Sequence, residues 1–180
     1  HHSQHIKRPS RNHVVSATVS GVSLIGSSVM LNRTGGYVKP CEEAMIATED
    51  GFKLLSAYFD RQAQARLVDA VLERVATAPL YQPAMPRTGK PLSVKMTNFG
   101  PLGWMTDKTG GYRYQDHHPV TGEPWPDMPE PVLELWRAVS DWPDPPQACL
   151  VNWYGPDARL GLHVDADEDN KDAPVVSISL

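Results

Sequence analysis

The sequence predicts a mainly β chain with flanking helices, an α+β arrangement in one domain. Three observations predict it. Seventeen Pro and thirteen Gly in 180 residues break the chain too often for a helical bundle. Apolar residues recur at helical spacing in only two stretches. Several short runs instead alternate, or gather β-branched and aromatic residues between turn signals. Hydrophobic residues make up 41%, enough for a core, and the length fits a single domain.

Residues 1–44 are rich in Ser, Asn, Gly and Val, hold no Asp and show no clear period. They are expected to be a disordered basic arm or sequence foreign to the domain, such as tag, linker or translated upstream DNA, with the start at Met30 or Met45. His1, His2 and His5 lie in this segment and are not counted as metal ligands. The domain pattern begins near Ile46, with Phe52, Leu54, Leu55, Tyr58 and Phe59 as an apolar cluster. Asp60 reads as the N-cap of a helix over 61–78, whose stripe is Leu67, Val68, Val71, Leu72, Val75 and Ala76. Pro79 stops it.

A strand is expected over Ser93–Phe99, then a loop over Gly100–Gly111 with a turn at Gly110-Gly111. Tyr112-Arg113-Tyr114 reads as a short strand, and His117–Pro129 as a long connection. A second helix over 130–141 turns Val132, Leu133, Leu135, Trp136 and Val139 inward, with Pro129 and Pro131 at its first turn. Pro143, Pro145 and Pro146 end it. Three strands follow, at Ala148–Tyr154, Leu160–Asp165 and Ala173–Leu180.

Net charge is −4, unevenly spread. Residues 1–40 carry five Lys or Arg and no acid, whereas 41–180 carry twelve bases and twenty-one acids. Any nucleic-acid contact must therefore be a local patch. Cys41 and Cys149 form no C-x-x-C pair, which argues against a disulfide framework or a cysteine zinc site and makes a reducing cytoplasm the default. No apolar run reaches the roughly 18 residues of a membrane helix.

The chemistry centres on His163-x-Asp165. In an extended segment, residues two apart point to the same side, so an imidazole and a carboxylate can meet one cation. That is two-thirds of the two-histidine, one-carboxylate triad that holds non-haem Fe(II) with open positions. Alone the motif is weak: seven His and thirteen Asp make a chance H-x-D roughly an even bet in a chain of this length.

The surroundings lift it. Val94-Lys95-Met96-Thr97-Asn98-Phe99-Gly100 is followed by Leu102-Gly103-Trp104 and Gly111-Tyr112-Arg113-Tyr114. Then come Pro119-x-Thr121-Gly122-x-Pro124-Trp125-Pro126-x-Met128-Pro129 and Ala148-Cys149-Leu150-Val151-Asn152-Trp153-Tyr154. Last are Leu160-x-Leu162-His163-x-Asp165-x-Asp167-Glu168 and Ala173-Pro174-Val175-Val176-Ser177-Ile178-Ser179-Leu180. In this order, across about 46–180, the blocks resemble the AlkB family of oxidative DNA-repair dioxygenases, bacterial type.

The resemblance implies a double-stranded β-helix, or jelly roll, with helices outside, and a requirement for Fe(II), 2-oxoglutarate and O₂. It carries over His163 and Asp165 as iron ligands, and Asn152 and Tyr154 as contacts to 2-oxoglutarate. Trp104, Tyr112, Arg113, Tyr114 and Asp167 match the substrate lid and base pocket, and Met96 a residue near the bound base. The implied reaction converts 2-oxoglutarate to succinate and CO₂ while an N-methyl group is hydroxylated and lost as formaldehyde. N1-methyladenine and N3-methylcytosine in DNA, single- or double-stranded, or in RNA, are the implied lesions. Such methyls block pairing, so the base costs less to flip out. Trp104 would stack on the base, Arg113 would meet phosphate, and the Asp167 carboxylate would favour a cationic base. The implied protein acts as a monomer and away from membranes.

Two departures stand out. The family's third ligand, a His well downstream of H-x-D, and its 2-oxoglutarate-clamping Arg have no counterpart before Leu180. Residues 45–180 are therefore expected to be the N-terminal portion of the dioxygenase domain, lacking C-terminal strands. The alternative function is a catalytically incomplete piece that at most binds single-stranded nucleic acid. His117-His118 is read as loop rather than as the missing ligand pair.

Overall fold

A computed structural model describes residues 14–20, 28–32, 45–49, 52–158 and 173–180, with side chains from 53 onward. Helix α1 covers Arg61–Val75. Its start is the one the sequence signals: Asp60 is extended, and its carboxylate accepts the Ala63 N–H at 2.7 Å. Leu67 and Val71 are buried with Gln64, but Leu72 is 46% exposed, so the buried stripe is narrower than expected. Gln64 reaches inward because its amide donates to the Phe59 carbonyl at 2.9 Å. The amphipathic helix α2 covers Glu130–Val139, with Pro at its first turn and Val132, Leu135, Trp136 and Val139 buried. None of the described helices is long and apolar enough to cross a membrane.

Nine strands accompany them among the described residues. They are β1 (Val14–Ser20), β2 (Ser28–Asn32), β3 (Met45–Glu49), β4 (Phe52–Ser56), β5 (Lys95–Phe99), β6 (Gly103–Asp107), β7 (Gly111–Gln115), β8 (Ala148–Tyr154) and β9 (Val175–Ser179). Seven of them form one sheet in the order β3-β4-β2-β9-β1-β8-β5, and β6 and β7 form a separate hairpin. A mainly β chain with two helices is therefore what the described residues make.

Two expectations change. Residues 14–20 and 28–32 join the sheet, where the sequence reading leaves all of 1–44 outside the domain. β1 runs parallel to both β8 and β9, and its Val and Thr residues suit a strand even though interspersed Ser hides the alternation. The expected loop over Gly100–Gly111 contains strand β6, paired antiparallel with β7 from Gly103↔Gln115 to Asp107↔Gly111. The turn residues around it are real: Gly100 has φ +103°, and a side chain there would strike Met128 and the Gln147 carbonyl. The strand expected at Leu160–Asp165 lies outside the described residues.

The sheet separates two apolar clusters. One joins Leu67 and Val71 of α1, the buried face of α2, and Phe99, Cys149, Val151, Val176 and Ile178 from β5, β8 and β9. Cys149 is fully buried there. The other joins Tyr81, Val94, Met96, Met105 and Trp125, with Trp104, Leu150 and Tyr154 packed on it. Strand periodicity explains the split, because Cys149 and Val151 face the helices while Leu150, Asn152 and Tyr154 face the other way.

Candidate active site

The face of the sheet opposite the helices carries the candidate site. Asn152 lies directly across from Met96 in the β5–β8 ladder, so the two side chains leave the sheet side by side. Both are buried. Tyr154, two residues on, shares that face and is half-buried. Burial raises its phenol further above the ordinary value of 10.0, so at neutral pH it is a hydrogen-bond donor. By ladder register, β9 offers Ser177 and Ser179 to this face and Val176 and Ile178 to the helices.

The β6–β7 hairpin covers the β5 side of this face. Trp104 packs on the cluster that holds Met96 and Tyr154. Its cross-strand partner is Tyr114, and Tyr112 lies diagonal to it. Trp104 and Tyr112 stack, with ring centroids 5.8 Å apart and planes 29° from parallel. Tyr112 is 50% exposed, and thus able to offer its hydroxyl and ring edge to a ligand. The structure therefore brings together Met96, Trp104, Tyr112, Tyr114, Asn152 and Tyr154.

Arg113 is placed differently. It faces the other side of the hairpin from Trp104, opposite Met105. Its guanidinium donates to Asp107 at 2.6 Å, to Gln115 at 3.1 Å and to the Gly111 carbonyl at 3.2 Å. Asp107 also accepts the Gly110 and Thr109 N–H groups. The Gly110 bond and the Arg113 guanidinium hold its carboxyl below the usual aspartate range. Arg113 thus ties the hairpin turn together. His163, Asp165 and Asp167 lie outside the described residues. Among the described residues, no group of three His, Cys, Asp or Glu stands close enough to hold a metal.

Neither neighbouring histidine belongs to this site. His117 sits at the surface against Asp116, 2.7 Å away. His118 is 1% exposed and structural: its Nε2 donates to the Pro79 carbonyl at 2.7 Å, while Nδ1 accepts the Val120 and Thr121 N–H groups. It also meets Tyr81 and Trp125 edge to face. Replacing His118 with Leu is expected to cost about 2–3 kcal/mol, because the buried imidazole's three part-buried hydrogen bonds are lost together. A urea titration checks this; a change under about 0.5 kcal/mol would show the imidazole to be dispensable.

Sequence reasoning missed Asn98, which is buried in β5 and bonded to the Trp104 backbone. A polar residue on the inward phase of an apolar strand was the available signal.

A family model described as the 2OG-Fe(II) oxygenase superfamily matches residues 51–180. The chain belongs to that superfamily. Its curated relatives narrow the likeness to AlkB. The chain is 50% identical over 132 residues to the alpha-ketoglutarate-dependent dioxygenase AlkB homolog of Caulobacter vibrioides, covering 72% of this chain and 58% of the relative. It is 40% identical over 126 residues to alpha-ketoglutarate-dependent dioxygenase AlkB of Escherichia coli, covering 68% of this chain and 57% of the relative. For AlkB of Salmonella typhimurium the figures are 40% over 134 residues, 72% and 61%. The chain thus spans about three-fifths of the length of these relatives.

The family's chemistry runs on Fe(II), 2-oxoglutarate and O₂. The described donors fit the co-substrate: a buried amide at Asn152 and a protonated phenol at Tyr154 both donate well to a carboxylate or keto oxygen.

Proposed function

We propose that this chain carries the lid and part of the co-substrate site of an oxidative nucleobase demethylase, acting on N1-methyladenine and N3-methylcytosine in DNA or RNA. One observation carries the reading. The Trp104–Tyr112 aromatic stack is mounted on a hairpin packed against the same sheet face that bears Met96, Asn152 and Tyr154. An exposed aromatic stack is a platform for a flipped base, and a buried amide beside a phenol is a seat for a small dicarboxylate.

When bound, Fe(II) with 2-oxoglutarate and O₂ supplies oxidation of the methyl C–H bond. His163 and Asp165 would be two of the iron ligands. The chain's own residues do the rest. Asn152 and Tyr154 donate hydrogen bonds that orient 2-oxoglutarate, and the apolar wall of Met96 and Leu150 excludes water beside it. Trp104 holds the base plane. Tyr112 and Tyr114 wall the pocket, and the Asp167 carboxylate selects a cationic, methylated base over a neutral one. In this reading the sheet is one wall of a double-stranded β-helix.

The test is formaldehyde release from a single-stranded oligonucleotide carrying one N1-methyladenine, in the whole protein with Fe(II) and 2-oxoglutarate. Equimolar formaldehyde and succinate are expected. Oligonucleotide binding without either product would instead favour a non-catalytic nucleic-acid binder. Tyr154→Phe should weaken 2-oxoglutarate binding roughly tenfold by titration calorimetry, the loss of one hydrogen bond to a charged group. An unchanged affinity would remove Tyr154 from the co-substrate site.

A further inference from the structure

We propose that Asn98, with Tyr81 beside it, is a positioning residue that sets where the Trp104 ring stands over the sheet. The inference rests on the reading of Trp104 as the base-stacking residue.

Among the described residues, strand β6 has a strand partner, β7, on one edge only. Its other edge exposes the backbone groups of Leu102, Trp104 and Thr106. At the two flanks those groups meet backbone: the Leu102 N–H donates to the Gln147 carbonyl at 3.0 Å, and the Thr106 carbonyl accepts from Ala84 at 3.3 Å. At Trp104, in the middle, the partner is a side chain. The Asn98 Oδ1 accepts the Trp104 N–H at 3.0 Å, and Asn98 Nδ2 donates to the Trp104 carbonyl at 3.0 Å. The Tyr81 hydroxyl donates to the same carbonyl at 3.2 Å and accepts from Asn98 Nδ2 at 3.4 Å. One amide thus imitates a neighbouring strand for one residue.

The clamp is built tightly. Asn98 is 0% exposed, so no water competes for its amide. Gly103 allows the approach: a Cβ there would lie 2.7 Å from that of Asn98 and 2.5 Å from the Trp125 ring. Asn98 and Tyr81 are both buried, at 0% and 9% exposure. Their polar atoms are occupied with the Trp104 backbone and each other. The side-chain bonds of both residues therefore act on a ligand by way of Trp104, whereas the backbone of Tyr81 is tied separately to Met96.

The test is fluorescence anisotropy of a labelled single-stranded oligonucleotide with one N1-methyladenine, bound to the whole protein with Mn(II) and 2-oxoglutarate present. Asn98→Leu keeps the branched heavy-atom skeleton and removes both bonds to the Trp104 backbone, and about a tenfold loss of affinity is expected. Tyr81→Phe keeps the ring and removes one donor, and about a threefold loss is expected. Affinity for 2-oxoglutarate should not change in either. In a Trp104→Ala background neither substitution should weaken binding further, because the path runs through that ring.

Trp104→Ala separates the two ideas. If it leaves oligonucleotide affinity intact, the base-stacking reading fails and the inference falls with it. If it weakens binding but Asn98→Leu and Tyr81→Phe do not, or if they weaken it equally with and without Trp104, the positioning role alone is overturned. Should Asn98→Leu not fold, the same comparison with Tyr81→Phe decides.

Discussion

Alanine in place of Trp136 is expected to lower the unfolding free energy by about 3–5 kcal/mol. Trp136 is among the largest fully buried side chains described, at 1% exposure. It sits in the cluster that binds both helices to the sheet, with Leu67 and Val71 from α1 and Cys149, Val151 and Val176 from the strands. Truncation removes most of its contacts at once and leaves a cavity that packed helices and strands collapse into only partly. It also removes the donor of a 2.9 Å bond to the Asp144 carbonyl, which holds the turn after α2. Denaturant unfolding measures the difference, and Leu72→Ala is the control. Leu72 lies about 100° around the helix from Val71, off the buried stripe, and is 46% exposed, so its loss should cost under about 1 kcal/mol. Similar costs for the two would mean that the helices do not dock as described.

Alanine at His163 is expected to remove iron binding and with it formaldehyde release, by roughly a hundredfold or more. Partners that merely orient a metal ligand are worth about ten- to a hundredfold in affinity or activity, and a ligand itself exceeds that. The first readout is metal affinity by titration with a divalent ion, independent of turnover. The second is product formation. Asp165→Ala should behave the same way, while Asp167→Asn should keep metal affinity and lose only the preference for a cationic base. Unchanged metal affinity in both His163→Ala and Asp165→Ala would move the iron site elsewhere in the molecule.

Much of the fold was readable because local signals and tertiary structure agree. The Asp60 cap, the Leu67/Val71 spacing and the proline at the first turn of α2 are short-range physics, and the helices sit where those place them. β8 matches Ala148–Tyr154, since both its faces are buried and its apolar run is unbroken apart from Asn152. Strand β6 was not readable. Gly103, Pro101 and Gly110 advertise turns, and only pairing with β7 and the Asn98 amide makes Gly103–Asp107 a strand. The site shows the same division. That Asn152 and Tyr154 share a face follows from a spacing of two. That Tyr112 stacks on Trp104, while Arg113 turns away to Asp107, depends on hairpin register, which no local signal fixes.

The burial of Cys149 has a chemical consequence for a protein proposed to work amid methylating agents. Such agents seek thiolates first, and a modified cysteine under the sheet would not repack. Burial pushes the Cys149 thiol up to about 12, so a thiolate is rare at neutral pH. With no surface exposed, that rare anion is also out of reach. The chain thereby keeps a soft nucleophile in its core without becoming a target of the same electrophiles whose damage to bases it is proposed to reverse.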